Sequence, residues 1–122
     1  MRERVKERLA NLAKALTEKT LRGDLTWDRA GEADFSCAIG DRSVVIASID
    51  GDGSPPLKMS VRDERSVEVV SLDWSVTRTT AGTLAEDPRN DDLVHLYEAA
   101  RYSASEVDKV LTELFDELGV QE

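Results

Sequence analysis

DFSCAIGDRSVVIASIDGDGSPPLKMSVRDERSVEVVSLDW, residues Asp34 to Trp74, reads as four short strands joined by tight turns. In the first, Phe35, Cys37 and Ile39 share one face, and Gly40-Asp41 supplies a two-residue hairpin turn. Val44, Val45, Ile46, Ala47 and Ile49 form the most continuous apolar run in the chain, which predicts a central strand sheltered on both sides. Asp50 to Pro56 is dense in glycine, proline and aspartate and makes the next turn. Leu57, Met59 and Val61 then alternate with Lys58, Ser60 and Arg62, and Asp63-Glu64-Arg65 turns into the fourth strand. That strand changes parity, with Val67 and Val69 on one phase and Val70, Leu72, Trp74 and Val76 on the other. A bulge near Val69-Val70 brings both sets to the core; the alternative leaves one set as an exposed, adhesive edge.

Each strand has an apolar edge that needs cover, and the flanking segments have the periodicity to provide it. Val5, Leu9, Leu12, Ala13 and Leu16 mark an amphipathic helix over residues 2–22, stopped by Gly23. Leu25 and Trp27 follow as a short extended piece that packs an indole into the core, and Asp28–Ala33 reads as a loop. Residues 77–89 form a polar connection of unusual length, the first place to look for a partner site. After Pro88, Asn90 is placed to cap a helix bearing Leu93, Leu96, Tyr97 and Ala100. Val107, Val110, Leu111, Leu114, Phe115 and Leu118 carry a second helical pattern. Ser105 with Asp108 resembles a capping box, which predicts a break or kink at Ser103–Ser105; a single bent helix from Asp91 to Leu118, closed by Gly119, is the alternative. The expected fold is α+β: one domain over residues 1–122, with the N-terminal helix and two C-terminal helices (or one kinked helix) packed on one face of an antiparallel four-stranded meander.

A chain of 122 residues buries enough apolar surface for one continuous core without disulfides or metal. The net charge of −9 argues against a nucleic-acid or anionic-membrane partner, since phosphate binding rests on clustered Lys and Arg. The charge is divided: residues 1–22 carry seven basic groups against three acids, and residues 83–122 carry three against eleven. The lone Cys37 forms no internal disulfide, and neither a signal-type apolar start nor a membrane-length apolar run is present, so a cytoplasmic location is expected.

No chemical constellation emerges. Asp50-Gly51-Asp52-Gly53 imitates the start of a calcium loop, but position seven is Pro56 and position twelve is Val61, where a bidentate Glu is needed. Cys37 and His95 lie on different elements and do not make a zinc site. Cys37 has the setting of a small hydrophobe, and His95 falls off its helix's apolar face. The carboxylate pairs Asp63-Glu64 and Asp91-Asp92 sit in a turn and at a helix start, where acids are favoured for structural reasons. No nucleophile elbow or glycine-rich phosphate loop is found.

The layout of LRGDLTW at Leu21–Trp27, a compact meander, and LYEAARYSASEVDKVLTELFDEL at Leu96–Leu118 resembles a set of short bacterial α+β proteins and mobile domains with no assigned reaction. Some similar domains are accessory or adaptor modules in bacterial conflict systems; the resemblance implies the same fold and almost no mechanism, and the functional reading rests on the missing chemical constellation and on the helices of opposite charge. The reading is a non-enzymatic protein-interaction module without cofactor, metal or catalytic residues. Its partner is a protein of unknown identity, with a homodimer considered and Trp74, Val76 and Arg78 as candidate contacts. The alternative is an acidic inhibitor or immunity protein that occupies the basic site of a nuclease or toxin.

Overall fold

The computed structural model describes residues 3–78 and 80–120, with the backbone alone at Thr77 and Arg78. The element order is α1 (Glu3–Leu21), β1 (Asp28–Arg29), β2 (Asp34–Ile39), β3 (Arg42–Ser48), β4 (Leu57–Arg62), β5 (Glu68–Asp73), β6 (Val76–Arg78), β7 (Leu84–Glu86) and α2 (Arg89–Leu118). Strands β1 to β5 form an antiparallel sheet in chain order, and β6 and β7 form a separate hairpin.

The four expected strands are present as β2 to β5, with β3 central. Register puts Phe35, Ile46, Met59 and Leu72 in one cross-strand row and Cys37, Val44, Val61 and Val70 in the next. Both rows face the helices. Together with Trp27, Leu57, Leu93, Leu96 and Tyr97 they build the core. The hairpin between β2 and β3 requires a positive φ, which Gly40 supplies at 64°. The parity change in β5 is a bulge: Val61 pairs with Val70 and Arg62 with Glu68, so Val69 is skipped. The bulge does not rescue the odd set, because Val69 stays exposed on the outer strand and Val67 just before it.

Three further expectations need correction. Asp28–Arg29 is not loop but a two-residue fifth strand, paired with Ser36 and Phe35. The polar connection after Val76 folds back on itself, with Val76 opposite Glu86 and Arg78 opposite Leu84. The C-terminal segment is not two helices; the single-helix alternative holds, as one continuous helix of 30 residues closed by Gly119. The helix runs on through the expected Ser105–Asp108 capping box, whose Asp108 pairs with Arg29 instead, and at the expected break Ser103 Oγ accepts the Trp27 amide at 2.9 Å.

Asn90 does not cap α2 either. It is buried, and its amide side chain accepts from Ser75 N at 3.0 Å and donates to Ser75 O at 2.7 Å. The Asp87 carboxylate serves the first turn instead, accepting from the Arg89 amide at 2.9 Å and from its guanidinium. Arg89 reaches on to Glu3 and Glu7 and so ties the starts of the two helices together.

α1 lies along α2 and against β5, while α2 crosses β1 to β4. Both helices end in the same Schellman arrangement. In α1 the amides of Gly23 and Asp24 donate to Thr20 O and Lys19 O, and in α2 those of Gly119 and Val120 donate to Asp116 O and Phe115 O.

Candidate interaction surface

The apolar face of α2 is continuous, but its cover is not. From Leu93 to Ala104 the face is sealed, with Leu93, Leu96, Ala100 and Ala104 at 1% exposure or less. Beyond Ser105 the same face carries on into solvent: Val110 is 50% exposed, Leu111 45%, Leu114 50% and Leu118 72%. Lengths explain the change. A helix of 30 residues runs about 45 Å, whereas five strands of up to seven residues offer about 20–24 Å in either direction. α1, with 19 residues, spans about 28 Å and ends short of the α2 tip.

At the boundary a groove opens between the end of α1 and the flank of α2. Its cavity of about 490 Å³ is lined mainly by apolar groups, among them Leu21, Leu25, Tyr102, Val107, Val110 and Leu111. The groove's inner wall is held by a buried relay. Thr20 Oγ1 donates to Leu16 O at 2.7 Å and accepts from Trp27 Nε1 at 2.8 Å, and Trp27 N donates to Ser103 Oγ. On the other side of the helix Arg29 Nε meets Asp108 Oδ2 at 3.2 Å. These contacts fix where burial stops and projection begins.

A polar cleft of about 470 Å³ lies near the loop after β3, lined by Arg29, Glu32, Asp52, Tyr97, Arg101 and Ser105 among others. Its strongest groups are already used within the fold. Tyr97 Oη donates to Ala33 O at 2.7 Å while its ring meets Phe35 edge-on, and Arg101 stacks 4.8 Å from the Tyr97 centroid and donates to Gly53 O. A Cβ at Gly53 would come within 2.9 Å of that guanidinium, so the close approach depends on glycine. The cleft is thereby a clip that holds the Asp50–Pro56 turn against α2.

The titratable groups have equally structural settings. Burial, then the nearby Asp28 carboxylate, push the Cys37 thiol up, away from the thiolate form a nucleophile needs. Asp87 is held below the usual carboxylate range chiefly by its hydrogen bond with the Arg89 side chain. Asp63 is lowered first by the Val67 amide, which caps the turn into β5, and Glu68 first by its bond with Lys58. Among the described carboxylates with a resolved shift Asp92 alone is raised, by burial, against the pull of Lys14 and His95. That is the direction a general acid requires, yet Asp92 lines none of the principal cavities. Among the described residues no group of three or more His, Cys, Asp or Glu is arranged to hold a metal, and no helix is long and apolar enough to cross a membrane.

The residues expected to face a partner lie at and just before β6. Trp74 packs partly against the core and donates its amide to Leu57 O at 3.1 Å, and Val76 is exposed on β6. Arg78 ends β6, and its side chain lies outside the described residues. The larger exposed apolar surface is on the α2 tip. Its residues were visible in the sequence as a helical pattern, and comparing the lengths of the two helices with the strands is the signal that marks them as uncovered. Comparison with protein families, with curated proteins and with solved structures finds no match for this chain.

Proposed function

We propose that this chain is a non-enzymatic protein-interaction module, an adaptor or accessory domain whose working surface is the second half of α2. The carrying observation is the run Val110, Leu111, Leu114 and Leu118, which projects beyond the sheet with its apolar face uncovered. Such a stripe at helical spacing is the pattern by which one helix anchors another. The polar cleft is consistent with this reading, since its Tyr97 and Arg101 are spent on clipping the fold together.

The acids of the same helix favour a second reading, in which Glu113, Asp116 and Glu117 occupy a basic site on a nuclease or toxin. The two separate experimentally. Affinity capture with the full chain is compared with L111E/L114E and with E113Q/D116Q/E117Q. Loss of bound protein in the first variant alone supports the apolar stripe, and loss in the second alone supports the acidic reading. Capture unchanged by both substitutions would overturn the two together.

A further inference from the structure

We infer that the occupant of the α2 stripe is a second copy of this chain, paired antiparallel through residues 107–118. The inference rests on the interaction reading above and names the partner for it.

Area is the first argument. A compact monomer of 13.5 kDa exposes about 6,500 Å², whereas this chain exposes 8081 Å². The surplus is about 1,500 Å², and a standard interface takes about 800 Å² from each side. On the tip and the adjoining groove Leu21, Tyr102, Val110, Leu111, Leu114 and Leu118 are exposed side by side, whereas the exposed Ile39, Ile49, Val67, Val69, Val76 and Leu84 are spread over the strands and their turns.

Spacing is the second. Val107, Leu111, Leu114 and Leu118 follow the alternating four and three steps of a coiled-coil seam and continue Ala100 and Ala104 of the buried half. Two such seams laid antiparallel match layer by layer. Leu111 meets Leu114 of the second copy, and Val107 meets its Leu118 at the mouth of the groove. A two-fold axis makes both halves of the contact identical.

Charge decides between a second copy and a basic partner, and sets the direction. Helical geometry puts Glu113 and Asp116 away from the seam and leaves Asp108 and Glu117 as the acids beside it. Asp108 is already paired with Arg29, so little like-charge repulsion opposes self-pairing and little acid is left to select a basic helix. A parallel pair would stack the two acidic tips, Glu113, Asp116 and Glu117, against each other. An antiparallel pair with Leu111 opposite Leu114 separates the two copies of Asp116 and of Glu117 by about 10–14 Å along the axis, and leaves only Glu113, which points away from the seam, near its counterpart.

Light scattering across a wide concentration range tests the inference on the full chain. The expected mass is twice that of the chain, falling to one chain in L111E/L114E while helix content by circular dichroism is kept. A second measurement covers misfolding of that variant: under mild oxidation V107C/L118C is expected to give a covalent dimer, and L118C alone is not. A wild-type mass of one chain at every concentration overturns the second copy. So does a dimer that survives L111E/L114E, which would place the contact elsewhere, such as the Val67 and Val69 edge. Cross-linking by L118C alone overturns the antiparallel arrangement. A wild-type mass of one chain leaves the interaction reading standing with another partner, and that reading fails separately if L111E/L114E changes neither the mass of the chain nor the capture of any other protein.

Discussion

The two halves of α2 have the same pattern and opposite fates. Leu93 to Ala104 and Val107 to Leu118 both repeat apolar residues at three and four steps, yet the first run is sealed under α1 and the sheet and the second stands in solvent. Periodicity therefore establishes that a helix has an apolar face. Whether the chain itself covers that face depends on the dimensions of what lies opposite.

The difference can be broken most sharply in the buried half. Leu96→Ala removes a fully buried side chain at the junction of α1, α2 and the sheet, and an unfolding free energy lowered by about 2–5 kcal/mol is expected from chemical denaturation. Next comes the start of the helix. Asn90→Ala strips both partners from the Ser75 backbone, and a loss of about 1–3 kcal/mol is expected in the same measurement.

A smaller, pH-dependent effect belongs to Asp87. Its folded carboxyl titrates below its unfolded value, so its contribution is complete above the ordinary carboxylate range, about pH 4, and is lost as pH falls through the depressed folded pKa. Thermal unfolding followed downward from neutral pH is expected to fall less steeply in Asp87→Asn than in wild type. The smallest effect sharpens the comparison from the exposed side. Leu114→Ala, measured at concentrations where the chain is a monomer, is expected to change unfolding by no more than about 0.5 kcal/mol. A loss there equal to that of Leu96→Ala would mean the tip is covered after all.

The strands of the sheet were legible because each carries local alternation and a turn dense in glycine, proline or aspartate. β3 was legible as central from its unbroken apolar run, and the β5 bulge from its switched parity. The shorter pairs were not legible. Asp28–Arg29 and the strands of the β6–β7 hairpin have only two or three residues each, and their pairing depends on what folds beside them rather than on any period of their own. Asn90 and Asp108 misled for a related reason. Each reads as part of a helix cap in isolation, but each spends its side chain on a distant partner, the Ser75 backbone in one case and Arg29 in the other. The candidate surface was half legible: its residues were plain, and its exposure follows only once the sheet's size is known.

The hydrogen bond from Trp27 N to Ser103 Oγ gives the projecting helix a fulcrum. Leu118 lies about 22 Å beyond it along the axis, and on the other side the helix is anchored in the core by Leu93, Leu96 and Asn90. Because the rod is unbroken from Arg89 to Leu118, torque applied at its tip is delivered to a tryptophan that is itself fastened to the last turn of α1. A load at the tip would therefore meet the joint between the two helices first at the Trp27 amide, which amide hydrogen exchange can follow.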